Sequence, residues 1–254
     1  MKKNGKGVLT VVLAVIACAC AAYLVWNYVD TKRADESYDK AKQVAKGGAG
    51  KAKPEEVEER AEIPIDFASL KAVNPDVYAW IRIGNTNIDY PVLQSSFYDQ
   101  YYLEHDWEGN EASQGAIYTH FANSKDFTDF NTVIYGHQMG DSSDTMFHHL
   151  DKFLDRQFML DNPYVTIYTE DHELTYEVFA AVAYDDRHLL NSLNFFQDSE
   201  KQAFLESLDN GDPRNQFRED ITVTPADRII SMSTCIAAEP NRRLIVEAVL
   251  VDEK

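Results

Sequence analysis

The chain is 254 residues long, enough to bury a sizeable core in one large domain, and its composition is ordinary for a globular protein apart from 14 Tyr and 13 Phe, residues that favour strands. The formal charge of −18 is unevenly placed: residues 1–62 carry 11 Lys/Arg and 9 Asp/Glu, which leaves 13 and 33, a net of −20, to residues 63–254. A domain that acidic repels phosphate backbones, which speaks against nucleic-acid binding; the charge serves solubility or attraction of a cationic partner.

Residues 1–6 read as a short positive leader, with Lys2, Lys3 and Lys6, and Gly7 to Val29 follow without a single charge. As a helix that run spans roughly 35 Å, against about 30 Å for a bilayer core. Tyr23, Trp26 and Tyr28 gather at its far end, where an interfacial aromatic belt belongs. We read residues 7–29 as an uncleaved transmembrane signal-anchor. A cleaved signal would have a shorter apolar region, and Val15-Ile-Ala-Cys18 loosely resembles a lipoprotein box, which would place lipid on Cys18. Lysines flank both ends of the run, but the leader and the large acidic domain beyond argue for an N-terminus inside and a C-terminus outside. Between Asp30 and Glu62 the composition turns to Lys, Ala, Glu and Gly, with Gly47-Gly-Ala-Gly50 inside it. This stretch reads as a tether, helical in pieces, that holds the folded domain off the membrane.

The folded domain is expected over residues 63–254. Phe67, Leu70 and Val73 have helical spacing, with Asp66 as cap and Pro75 after the stop. Residues 79–83 and 88–93, joined by a Gly-Asn turn, form a hairpin. Further strands are expected at 116–119, at 132–137 ending on His137, at 165–169 and at 174–184. A helical turn is expected over 144–150, and a helix over 195–209 that Asn210-Gly211 stops. The last two strands, 228–235 and 243–251, flank a short polar loop containing Pro240 and Asn241. About eight strands, few helices and no alternation of strand and helix indicate a mainly β domain, a closed or nearly closed eight-stranded barrel.

Cys18 and Cys20 lie in the apolar run, so Cys235 is the one thiol of the remaining chain. Outside the cell such a residue is either a buried small hydrophobe or a reactive group. If the last two strands lie side by side, Cys235 ends one where Arg243 opens the next, within reach of one bound group. A lone Cys and a His at another strand end are the pattern of a thiol nucleophile with a distant acid/base partner. A guanidinium with fork geometry suits a developing oxyanion. Alternation along the strand sends Arg242 to the opposite face, as a surface residue. The pairs Asp185-Asp186 and Glu219-Asp220 lack the spacing of a calcium loop, and His148-His149 diverge on a helix, so neither reads as a metal site and no cofactor is expected.

Ser231-Met-Ser-Thr-Cys235 resembles the Thr-Leu-x-Thr-Cys signature of sortases. Tyr135-Gly-His137, with Met139 and later Met146-Phe147, resembles their histidine segment, and Arg243-Leu-Ile-Val their arginine strand. The likeness extends over about residues 65–252. The N-terminal helix and the helix-bearing insert before the Cys strand are most similar to class B. Gln138 stands where Asn often follows the histidine, and His120 falls in Tyr118–Asn123, a segment that usually carries an Asp.

The resemblance implies a membrane-anchored cysteine transpeptidase. Cys235 would attack a carbonyl within a C-terminal sorting pentapeptide of a secreted protein and form a thioester. His137 would exchange protons with the leaving and incoming amines, and Arg243 would stabilise the oxyanion. Thr234, Ser233 and Asn123 are the candidate substrate contacts. The expected partners are such secreted proteins, a peptidoglycan precursor amine or a pilin lysine, and the membrane through the N-terminal helix; with water in place of an amine the enzyme would hydrolyse the peptide. The expected location is the cell membrane of a Gram-positive bacterium, single-pass, with the N-terminus cytoplasmic and the catalytic domain outside. Two other readings stand beside it: a pilin-polymerising enzyme that uses a lysine amine, and a non-catalytic barrel that displays an adhesive surface.

Overall fold

The computed structural model describes residues 4–47, 63–140 and 143–254. Nine strands and five α-helices follow in order: α1 (Asn4–Lys46), α2 (Phe67–Val73), β1 (Val77–Ile83), β2 (Asp89–Leu93), β3 (Ile117–Thr119), β4 (Asn131–Tyr135), α3 (Arg156–Asp161), β5 (Tyr164–Tyr168), β6 (Glu173–Asp185), α4 (Leu189–Ser192), α5 (Asp198–Ser207), β7 (Gln216–Phe217), β8 (Ile229–Ile236) and β9 (Glu239–Glu253). The sheet runs β5-β1-β2-β3-β4-β8-β9-β6, and pairing of β5 with β6 closes it into an eight-stranded barrel; β7 hangs on the far part of β6, outside the ring. Closure leaves the ring no unpaired edge. The β2–β3 and β4–β8 contacts are parallel and the other pairings antiparallel.

Two apolar layers hold this wall. Ile134, Ile230, Met232, Leu244, Val246 and Ala248 belong to the main core, together with Trp80, Ile117 and Phe147. Residues of the opposite parity, including Val133, Ile229, Ile245 and Val249, pack instead under Leu189, Phe204 and Leu208 of the α4–α5 insert. Period-two alternation therefore sends the odd-numbered positions of β4, β8 and β9 toward the insert. Cys235 and Arg243 share that parity.

The strand expectations agree with the structure to within a few residues, and Asp66 caps α2 by accepting from Ser69 N at 3.0 Å. Three places differ. The last turn is not at Pro240-Asn241: Ile236 pairs with Glu239, so Ala237-Ala238 make the turn with Ala238 at φ 63°, and Pro240 already lies in β9. The turn at 144–150 becomes a 3-10 helix at His148–Leu154, where His149 is buried and accepts from Asn87 N at 3.0 Å.

The larger difference concerns residues 30–46. They form no broken tether but continue α1, with Ala34, Ser37, Tyr38, Ala41 and Ala45 buried against the barrel. The Trp107 indole donates to Ser37 O at 2.9 Å, Tyr38 Oη to Gly115 O at 2.6 Å, and Asp66 N to Ala45 O at 2.8 Å. Residues spaced three and four apart make one face, and small side chains on it let the helix axis approach the sheet. Residues 48–62, the rest of the expected tether, lie outside the described residues.

Candidate active site

The parallel β4–β8 ladder pairs Tyr135 with Ser233, and Gly136 N donates to Ser233 O at 3.2 Å. Two residues further along each chain come His137 and Cys235. The antiparallel β8–β9 ladder pairs Cys235 with Arg243. Two rungs thus bring three distant residues to one strand end, and all three line a cavity of about 360 Å³. Cys235 is exposed, which decides between the two readings of the thiol: it is no buried hydrophobe.

His137 is held by its surroundings. Its Nε2 lies 2.8 Å from the carbonyl of Leu103, and since a carbonyl only accepts, that nitrogen carries the proton. Nδ1 is left to exchange a proton within the cavity. The His137 carbonyl accepts from Phe147 N at 2.9 Å, and Gln138 bridges Met146, so the following loop folds back to fix the residue. Gly136 matters for space: a Cβ there would meet Ile117 Cδ1 at 2.5 Å and the Phe147 ring at 2.8 Å. Glycine there serves a close approach of the backbone to Ile117 and Phe147.

Arg243 Nη1 donates to Pro240 O at 3.0 Å and Arg242 O at 2.9 Å, anchoring one arm of the fork on the β8–β9 turn. Arg242 turns away, as alternation requires, but is more than a surface residue: its Nη2 donates to Ala183 O at 2.6 Å and to Asp212 at 2.8 Å. Asp212 is held well below the usual carboxylate range by the Arg214 guanidinium first and, to a smaller extent, by Arg242.

Of the expected substrate contacts, Ser233 and Thr234 line the cavity and Asn123 does not. The Asn123 amide donates to Asp129 and to Asn131 O and accepts from Val133 N, so it braces the start of β4 and faces a neighbouring cavity. Residues not singled out from sequence complete the wall: Asp99, Gln100, Leu103, Tyr118, Tyr135 and His188. Among the described residues, Thr234 Oγ1, Tyr135 Oη and His188 Nδ1 are buried without a hydrogen-bond partner. His120, whose role the sequence left open, donates from Nε2 to Asp99 at 2.7 Å while its Nδ1 accepts from Ala122 N at 3.0 Å. Burial pushes His120 below the usual imidazole range, the Asp99 carboxylate opposes this, and the His188 ring 4.7 Å away adds to it. Tyr118 is pushed up to about 12, by burial and then by the charges of Asp99 and Cys235, so it remains a hydrogen-bond donor beside the thiol. The signal that could have found these groups was the clustering of Tyr and His at strand ends.

An exposed thiol, a tethered imidazole and an anchored guanidinium at one mouth of a mixed β-barrel belong to the cysteine transpeptidases. The Sortase domain model matches residues 81–251, and the chain belongs to the sortase family. Its relatives place it in class B. Sortase B of Listeria monocytogenes is 32% identical over 195 residues, 75% of this chain and 76% of its own. The structure of the Staphylococcus aureus sortase B–substrate complex matches with TM-score 0.70 and 26% identity, covering 88% of this chain and 99% of that one. A sortase B complexed with triglycine matches with TM-score 0.71 and 27% identity, covering 87% and 99%.

Proposed function

We propose that the chain is a membrane-anchored class B transpeptidase that cuts a C-terminal sorting motif of secreted proteins and transfers them to an amine of the cell wall. The observation that carries this reading is the convergence of Cys235, His137 and Arg243 on one cavity through two adjacent strand ladders. Residues 7–29 serve as the anchor and residues 1–6 as the cytoplasmic leader, with residues 63–254 as the catalytic domain outside. One helix long and apolar enough to cross a bilayer near the N-terminus supports that arrangement.

The Cys235 thiol gives its proton to His137 Nδ1, and the thiolate adds to the scissile carbonyl carbon. The negative charge that forms on the carbonyl oxygen is met by Arg243, whose Nη2 and Nε are uncommitted among the described residues while Nη1 holds the turn. The C–N bond then breaks, and the leaving amine takes a proton from His137 Nδ1. An acceptor amine attacks the thioester, gives a proton back to His137, and the C–S bond breaks to release the thiolate. The related sortase B complexed with triglycine supports an oligoglycine-like amine as acceptor, and the S. aureus sortase B–substrate complex supports substrate binding by this fold.

Mass spectrometry of products from a sorting-peptide library incubated with the protein and candidate amines tests the reading. Amide products with peptidoglycan-type amines are expected from the wild type and none from Cys235→Ala with its circular dichroism unchanged. Turnover retained by that variant would end the proposal.

A further inference from the structure

The anchor and the catalytic barrel are joined without slack. Helix α1 runs unbroken from Asn4 to Lys46, about 64 Å at about 1.5 Å per residue. Its apolar stretch is wholly exposed from Leu9 to Tyr28, and the first residue after the apolar run, Asp30, already bonds to the barrel: Ser113 Oγ donates to its carboxylate. Lys40 pairs with Glu108, Trp107 donates to Ser37 O, and Tyr38 donates to Gly115 O, so the helix is clamped to the segment 106–115 along most of its outer half. Helices kink at proline, at Gly/Ser pairs or at inserted side chains and waters. Between Val29 and Lys46 there is no Pro or Gly.

From this we infer that the barrel docks directly on the lipid surface, with residues 111–113 at the level of the phospholipid headgroups. The inference rests on the reading of residues 7–29 as a membrane span. With that span in the hydrocarbon, Asp30 leaves it at the headgroup layer, and Ser113 is held to Asp30. The side chains nearest this level carry both signs, with Arg33 beside Asp30, Glu36 and Glu111. Mixed charge suits zwitterionic headgroups, which present both a phosphate and an ammonium. The docked segment is continuous with Leu103, whose carbonyl holds His137: Ala116 N donates to Tyr102 O at 2.8 Å, and Ala112 N to Glu104 O at 2.9 Å. Docking thus sets the height at which the catalytic cavity meets a peptide, and favours chains presented close to the bilayer.

The test uses the full chain in phosphatidylcholine proteoliposomes containing a headgroup-nitroxide lipid. Cys18, Cys20 and Cys235 are replaced by alanine, and one environment-sensitive fluorophore is placed at Tyr28→Cys, Glu111→Cys or Lys46→Cys. Position 46 is exposed and about 24 Å beyond Asp30 along the helix. Labels at 28 and 111 are expected to be quenched alike, several-fold more than the label at 46. Quenching at 28 with none at 111 beyond that at 46 would overturn docking and leave the anchor standing. No difference among the three would remove the anchor and docking together. A flexible six-residue Gly/Ser insertion between Val29 and Asp30 is expected to bring quenching at 111 down toward that at 46; unchanged quenching would show that the helix does not set the height.

Discussion

Cys235 and Arg243 are direct partners on the last regular rung of the β8–β9 ladder, and the register slips one residue later, between Cys235 and Ile236. The pairing sets the two residues side by side at one cavity, while the two carbonyls of Pro240 and Arg242 hold one arm of the guanidinium. Lysine would keep the charge at this place and lose the fork. Arg243→Ala is expected to lower kcat for sorting-peptide cleavage by roughly 10²–10³-fold, the usual cost of one oxyanion donor. Arg243→Lys should recover only part of that. Steady-state kinetics of both variants check it, and a change confined to KM would remove Arg243 from the oxyanion role.

The Leu103 carbonyl determines which nitrogen of His137 reacts. With Nε2–H donated at 2.8 Å, the neutral ring is the Nε2 tautomer and Nδ1 is the base. Nitrogen-15 NMR of the labelled imidazole above its titration is expected to show Nε2 protonated and Nδ1 bare. His137→Ala should cost about 10²–10⁴-fold in kcat. A predominant Nδ1–H tautomer would mean that the Leu103 contact is not kept in solution.

The strands were legible because β-branched and aromatic runs between turn residues carry a local signal, and the lone thiol, the histidine at a strand end and the arginine across a hairpin were legible for the same reason. Partner choice was not. The parallel β2–β3 and β4–β8 contacts join strands distant in sequence, and no local pattern encodes that Tyr135 lies beside Ser233. Residues 30–46 escaped notice because the buried face of α1 is built mainly from Ala34, Ser37, Ala41 and Ala45. A stripe of small residues adds little to average hydropathy yet permits close packing. The final turn was misplaced because Ala237-Ala238 carries no turn chemistry, whereas Pro240-Asn241 does. Asn123 looked available in sequence, and in the fold its amide is committed to Asp129, Asn131 and Val133.

Asp99 and His120 form the second wall of the cavity, paired at 2.7 Å, with the His188 ring against the same imidazole. Burial holds His120 neutral, the Asp99 carboxylate raises its pKa, and His188 lowers it. Proton NMR is expected to place the His120 titration below that of an ordinary imidazole. Asp99→Asn should move it lower still, and His188→Gln should move it up. A downward shift in the second variant would show that His188 acts on His120 through packing rather than charge.

Glu247 lies wholly buried between β8 and the insert, accepting from Ser231 Oγ at 2.7 and 2.9 Å, and Asn131 completes the cluster by donating to the same hydroxyl at 2.8 Å. Burial pushes its carboxyl up to about 8, with the Ser231 bond opposing. The unfolded chain ionises this group near 4.5. Above that pH the native state binds more protons than the unfolded one, so the contribution of Glu247 to stability falls as pH rises toward 8. The slope is about 1.4 kcal/mol per pH unit, roughly 3 kcal/mol between pH 5 and 7. His120 and His149, both lowered by burial, act in the opposite sense below their ordinary pKa, so the wild-type curve alone mixes the two effects. The difference between Glu247→Gln and wild type isolates the carboxyl, because glutamine keeps the shape and a hydrogen bond to Ser231 without ionising. Denaturant unfolding at pH 5, 6, 7 and 8 is expected to show the variant gaining on the wild type at each step. A difference independent of pH would mean that Glu247 is ionised in the native barrel and that Ser231 and Asn131 outweigh its burial.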